Sequence, residues 1–299
     1  MSKRNLALLG ATFVSLIYGL TFTIAKDVMP EFVKPFGFIL LRVFGAMVLF
    51  WIISFFVKTE KIEQQDFPRI IAAAFFGVAL NMLTFFKGLS YTSPIMGAVL
   101  MVTTPMLVLI LSSIVIREKL KFKKIIGILL GLLGTAILIL YGKQVATESN
   151  AILGNFLVFI NAISYAFYLI IVKKLMDKYN AFSFVKWIYT FGFLMVLPFG
   201  FSEFNEVNWA IIPTEIFWKI GFVVLFSTFF TYLLNLLSMK ELKPTTVAVF
   251  IYLQPLFAAI YAISLGKDSL NWIKILAAIL IFGGVFLVTQ KKNKPTIQK

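Results

Sequence analysis

The sequence predicts an all-α integral membrane protein of ten transmembrane helices, built as two inverted-topology five-helix repeats around a central cavity. Three observations carry that prediction. Hydrophobic residues make up 60% of the chain and charged residues 14%, against roughly 45–50% and 25% in soluble domains. Apolar runs of about 20 residues, enough to cross a hydrocarbon core of about 30 Å, recur from Asn5 to Gln290 with short breaks. The basic residues alternate from loop to loop, and the two halves align with one another. A soluble globular protein is excluded.

The spans read from the apolar runs are 5–25, 35–57, 68–86, 92–116, 123–141, 151–172, 182–202, 215–238, 244–266 and 271–290. Met1-Ser2-Lys3-Arg4 before an apolar stretch resembles a signal peptide. That stretch exceeds 20 residues and no clear small-x-small site follows it, so it reads as the first span. Most loops are shorter than a dozen residues and leave no room for an extramembrane domain.

Loop charge sets the orientation. The N-terminus, loops 58–69, 117–124, 173–181 and 239–243, and the tail together hold 19 Lys and Arg. The opposite side holds six, namely Lys26, Lys34, Lys87, Lys143, Lys267 and Lys274, while Arg42, Lys186 and Lys219 fall inside spans. The positive-inside rule puts both termini in the cytoplasm and the chain in the inner (cytoplasmic) membrane. The net charge of +15 therefore reports topology, and no nucleic-acid partner is expected.

The repeat appears on aligning residues 1–145 with 146–299. At an offset of 147, Tyr18, Ile24, Lys26 and Met29 fall on Tyr165, Ile171, Lys173 and Met176. At an offset of 150, Pro94, Ala98, Val99, Pro105, Lys124 and Gly134 fall on Pro244, Ala248, Val249, Pro255, Lys274 and Gly284. Five spans per unit is an odd number, so the second unit crosses in the opposite sense. That architecture is typical of secondary transporters with a midplane solute site; a duplicated bundle without transport is the plain alternative.

Polar side chains in a lipid-bathed bundle turn toward neighbours or water, so helical stripes mark inward faces. The first span carries Thr12, Ser15, Tyr18 and Gly19, and its repeat partner, the sixth, Asn155, Asn161, Tyr165 and Tyr168. The third carries Gly77, Asn81, Thr84 and Lys87 or Gly88, and the eighth Thr228, Thr231, Asn235 and Ser238. Thr103 and Thr104 on the fourth, and Tyr252 and Gln254 on the ninth, lie beside Pro105 and Pro255. Helices 1, 3, 4, 6, 8 and 9 are thus expected to line a cavity, with 2, 5, 7 and 10 as a shell. The candidate solute-binding residues are Tyr18, Asn81, Thr84, Lys87, Thr104, Asn161, Tyr165, Asn235, Tyr252 and Gln254. For each of them, an interhelical hydrogen bond is the competing role.

Pro94 and Pro244 fall at helix starts, where proline is cheap. Pro105 and Pro255 lie 11 residues further on, about 16 Å along a helix. Each removes an intrahelical bond and crowds the carbonyl of Met101 or Ile251, so both are candidate hinges, a static kink being the alternative. Lys87 either snorkels to the surface or stands as a fixed cation; Arg42 either snorkels or pairs with a carbonyl. Gly127-x-x-x-Gly131, Gly134 and Gly283-Gly284 mark close helix packing.

The sequence contains no Cys and no His, which removes thiolate nucleophiles, imidazole bases and most zinc sites. No enzyme activity, metal or cofactor is expected. All 13 Asp and Glu lie in loops or at helix ends. The proton relay usual in coupled carriers is thus missing, and facilitated movement down the solute's own gradient is the favoured reading.

Ile17-Tyr18-Gly19-Leu20-Thr21-Phe22 resembles the Trp-Gly-x-x-Phe of EamA-like members of the drug/metabolite transporter superfamily, with Tyr in place of Trp. Ser164-Tyr165-Ala166-Phe167-Tyr168 is similar to its second-repeat counterpart. Gly88-Leu89-Ser90-Tyr91-Thr92-Ser93, Pro105 and Arg117-Glu118-Lys119 resemble the end of one unit, and Pro244 through Tyr252-Leu253-Gln254-Pro255 to Gly283-Gly284 the end of the other. Leu265-Gly266-Lys267-Asp268-Ser269 departs from the usual Gly-Glu loop. The resemblance covers nearly the whole chain. It implies a ten-helix inner-membrane carrier that commonly exports amino acids or other small metabolites. Carriage of phosphorylated or nucleotide-linked anions, and a non-transporting membrane scaffold, are the alternatives.

Overall fold

The computed structural model of the chain describes residues 2–91, 100–119, 121–140, 151–264 and 271–290. Among these every regular element is helical. Pro94, Leu120, Lys143, Lys267, Asp268 and the basic tail fall outside the described residues.

Helix α1 runs Lys3–Val28, its first turn capped by the Ser2 hydroxyl accepting from the Asn5 N–H at 3.2 Å. Helix α2 is Pro35–Phe56, with proline at its start, where the missing N–H costs nothing. Helix α3 is continuous through Phe67–Ala74, Phe75–Ala79 and Leu80–Tyr91. The described part of α4 is Thr104–Val115, followed by α5 (Phe122–Leu140), α6 (Ala151–Met176) and α7 (Ala181–Asn205). Helix α8 passes through Thr214–Phe222, Val223–Phe230 and Thr231–Glu241, and α9 through Pro244–Val249, Phe250–Tyr252 and Leu253–Ser264. Helix α10 is Trp272–Thr289.

Among the described residues seven helices are long and apolar enough to cross a membrane, including Lys3–Ala25, Gln64–Tyr91 and Thr214–Glu241. Thr104–Val115 and Ile275–Thr289 are shorter apolar helices. Large apolar side chains such as Phe55, Phe56, Phe122, Ile152, Trp218 and Trp272 stand outward. A rim of that size is unfavourable in water and is the expected surface toward lipid tails. Several helices outrun their apolar runs: α3 continues to Tyr91 and α6 to Met176. The backbone hydrogen bonds persist into the interface after hydropathy has fallen.

Two extensive helix contacts are α2 against α7 and α5 against α10. At the second crossing the backbones nearly touch. A Cβ on Gly127 would lie 2.8 Å from the Gly284 carbonyl oxygen, and one on Gly284 would lie 2.5 Å from that of Gly127. Of the glycines read from the sequence as packing residues, Gly127, Gly131, Gly134 and Gly284 pack closely, whereas a Cβ on Gly283 would meet nothing within 4 Å. At the first crossing the Glu203 carboxylate of α7 accepts from the N–H groups of Phe36 (2.6 Å) and Gly37 (3.0 Å), a negative charge at the positive end of α2.

Among the described residues four interruptions break the helical regularity. Wider π turns occupy Phe75–Ala79 in α3 and Val223–Phe230 in α8. A 3₁₀ turn occupies Phe250–Tyr252 in α9, and a turn at Val102–Thr103 precedes α4. The last two come just before Pro255 and Pro105, so each proline acts by ending one helical segment and opening another. Inside a bilayer the carbonyls such breaks expose need partners. Ser164 Oγ donates to Phe76 O (2.6 Å), Tyr232 Oη to Gly77 O (2.6 Å) and Ser15 Oγ to Phe250 O (2.8 Å). Polar side chains of α6, α8 and α1 thus hold the irregular segments of α3 and α9.

The two ends of the chain's helical body meet: Arg4 donates to the Thr289 carbonyl. At this same end Glu118, buried, accepts from Lys124 (2.5 Å) and from the Thr245 hydroxyl (2.8 Å), tying α9 to the loop between α4 and α5.

Candidate functional site

A cavity of about 100 Å³ lies between α1, α2, α3, α6, α8 and α9, with Met101, before the turn that precedes α4, also on its wall. An engineered apolar cavity of ~150 Å³ admits benzene, so the space suits a solute of a few heavy atoms. Its polar lining comes from Tyr18, Thr21, Arg42, Asn81, Asn161, Tyr165, Ser227, Tyr232 and Gln254. Ala25, Met82, Phe85, Phe86, Leu89, Met101 and Ile251 form the apolar lining. This mixture of an apolar wall with a few placed polar groups is what small-molecule sites require.

The placement of these groups follows from local structure. The π turn in α8 lets Thr228 Oγ1 donate to the carbonyl of Val223, five residues back, at 2.8 Å. The same oxygen accepts from Arg42 Nε at 3.0 Å. The Arg42 guanidinium lies 4.6 Å from the Phe86 ring centre, where the ring face attracts a cation. Arg42 is only 4% exposed, and among the described residues no carboxylate pairs with it.

Asn161 Nδ2 donates to Asn81 O at 2.7 Å. A carbonyl can only accept, so this bond fixes which way the amide points, and Oδ1 is left buried without a partner. Ser227 Oγ, on the same cavity, is also buried and unpartnered. Beneath the lining, Tyr168 packs its ring where a Cβ on Gly77 would stand, 2.2 Å from its Cδ2. Only glycine admits that ring against α3. Tyr232 stacks edge-on to Tyr189 at 5.3 Å and tilts against Tyr168 at 5.9 Å, a rigid aromatic floor.

Of the ten candidate residues, the structure brings Tyr18, Asn81, Asn161, Tyr165 and Gln254 together on this cavity. Asn235 stands one contact behind, its Nδ2 3.4 Å from Tyr165 Oη. Thr84 turns its hydroxyl back to Leu80 O at 2.6 Å, an intrahelical bond. Thr104 is buried with its hydroxyl unpartnered. Tyr252 packs on α5, where a Cβ on Gly131 would lie 2.2 Å from its Cδ2. Lys87 lies over the rings of Phe36 (5.3 Å) and Tyr91 (4.7 Å) and is not among the lining residues.

Helix 2, expected in the outer shell, contributes Arg42 to the lining; Thr21, Ser227 and Tyr232 also join residues that the stripes did not single out. A signal for Arg42 was available: every Asp and Glu lies in a loop or at a helix end, so an arginine well inside a span has no carboxylate at its own depth to meet. No group of three His, Cys, Asp or Glu stands together among the described residues.

The model of the EamA-like transporter family matches residues 5–140 and again 152–290. An uncharacterized transporter, YetK of Bacillus subtilis, is 28% identical over 86% of this chain and 78% of its own length. An uncharacterized transporter of Archaeoglobus fulgidus is 27% identical over 98% of this chain and 100% of its own. One crystal structure of a protein shares the fold with a TM-score of 0.76 at 16% identity, covering 96% of this chain and 98% of that one.

Proposed function

The chain belongs to the EamA-like transporter family, and from that premise we propose that it carries small metabolites such as amino acids across the cytoplasmic membrane by alternating access. It is a multi-pass membrane transporter and its relatives are transporters, not enzymes. In this reading residues 1–145 and 146–299 are two five-helix units of opposite sense, ten spans in all, with both termini in the cytoplasm. The family model's two matches, the π turns near residues 77 and 227, and the breaks before Pro105 and Pro255 support the repeat. Paired breaks at equivalent depths are also what two hinges require. The excess of Lys and Arg on the side of the termini supports the orientation.

The observation that carries the solute reading is the cavity itself, lined by polar groups from both halves of the chain. We assign solute contact to Tyr18, Asn81, Asn161, Tyr165 and Gln254, and support of that set to Thr84, Thr104, Asn235 and Tyr252. Lys87 then serves as an interfacial cation near one mouth. The intramembrane segments offer no carboxylate relay, which favours facilitated export over proton coupling. A carrier of phosphorylated or nucleotide-linked anions needs several converging cations, and among the described lining residues Arg42 is the single one. A scaffold without transport has no use for unpartnered polar atoms around an interior space.

The test loads proteoliposomes with a metabolite mixture and identifies by mass spectrometry what leaves faster than from protein-free vesicles. Selective loss of a few small metabolites, reduced in Asn161→Ala and Gln254→Ala at normal folded yield, is expected. No selective loss, with or without an imposed ion gradient, removes the carrier reading.

A further inference from the structure

Resting on the reading of this cavity as the solute pathway, we propose that Arg42 is an anion anchor, and that the solute is a small monocarboxylate with an apolar body. Arg42 is held on two sides. Its Nε bonds to Thr228 Oγ1 at 3.0 Å, and its face lies on Phe86 at 4.6 Å. Thr228 is itself fixed by its bond to Val223 O. Among the described residues nothing bonds the two Nη groups and no carboxylate lies within ion-pair distance. What remains is the edge of the guanidinium that pairs with a carboxylate through two parallel hydrogen bonds.

A buried cation without a counter-ion is unfavourable in a low-dielectric interior, so the chain leaves unfilled a demand that a solute carboxylate meets. The surroundings narrow the class further. One cation balances one negative charge, which suits a carboxylate better than a doubly charged phosphate ester. Asn161 and Ser227 line the same cavity, and Oδ1 of the one and the hydroxyl of the other have no hydrogen-bond partner among the described residues. Met82, Leu89, Met101 and Ile251 supply the apolar wall for the remainder.

The experiment uses the full-length protein in lipid nanodiscs and measures binding by ligand-induced thermal stabilisation. The probes are acetate, butyrate, 4-methylpentanoate and L-leucine, each beside its carboxamide, and inorganic phosphate. At least one acid is expected to bind about 10- to 100-fold tighter than its amide, the range for charge-assisted hydrogen bonds. Arg42→Gln is expected to erase that preference and Arg42→Lys, which keeps the charge and loses the fork, to weaken it. Equal binding of acid and amide, a preference that survives in Arg42→Gln, tighter binding of phosphate, or no binding by any acid would overturn the anchor. The acid–amide comparison is made on the unaltered protein, so it stands even where a variant fails to fold. Selective efflux of neutral or cationic metabolites without acid binding removes the anchor and leaves the carrier; acid binding without efflux does the reverse.

Discussion

Arg42 and Lys124 are both cations drawn into the helical body, and the chain treats them in opposite ways. Lys124, near the end where the termini meet, is enclosed by acceptors: Glu118 at 2.5 Å and the Thr245 hydroxyl at 2.7 Å, with the carboxylate and hydroxyl bonded to each other at 2.8 Å. Lys243 approaches the same carboxylate at 3.8 Å. Arg42, deeper in the bundle, has one hydroxyl and an aromatic face and no carboxylate among the described residues. A compensated charge ties elements together; an uncompensated one waits for a ligand. The contrast separates a closure of the bundle from a place that something must visit.

Three substitutions put that contrast to the test. The largest effect is expected from Glu118→Ala, which strands Lys124, 12% exposed, beside an emptied, buried site. Breaking such a pair costs about 3 kcal/mol, read as a lower thermal midpoint of the purified protein in detergent; a midpoint within error of wild type would make the cluster incidental. Arg42→Gln is expected to leave the thermal midpoint unchanged or raise it, because it removes a buried charge without a counter-ion, strands no partner charge and leaves Thr228 its bond to Val223 O. A loss as large as that of Glu118→Ala would turn Arg42 into a structural residue. The smallest effect belongs to Lys34→Ala. Lys34 pairs with Glu206 where both are about half exposed, and although Glu206 draws the Lys34 ammonium above its ordinary pKa, solvent and salt screen such a pair. No resolvable change in thermal midpoint is expected.

Much of this arrangement is written in the sequence. A polar side chain facing lipid is expensive, so the stripes on six helices pointed inward, and Tyr18, Asn81, Asn161, Tyr165 and Gln254 do gather on one cavity. Periodicity names a face on the assumption of 3.6 residues per turn, and the helices that matter most depart from it. Through the π turn of α8 the stripe of Thr228, Thr231 and Asn235 gives way at the cavity to Ser227 and Tyr232. Through the 3₁₀ turn of α9, Tyr252 and Gln254, two residues apart, separate: one packs on Gly131 and the other lines the cavity. Thr84 shows the other limit, since a hydroxyl that reads as pathway polarity can satisfy itself on its own helix.

Hydropathy, loop length and the absence of His and Cys are additive properties of the residues, so a bundle of membrane-crossing helices without imidazole or thiol chemistry follows from composition and order alone. Whether a charge is paired is a property of distance between residues far apart in the chain, and it is set when the helices pack. Arg42 meets Thr228 across 186 positions and Glu118 meets Thr245 across 127. Coulomb energy depends on separation and on the dielectric around it. Until the helices pack, the arginine that faces the cavity and the lysine that helps close the bundle are two basic residues with nothing to tell them apart.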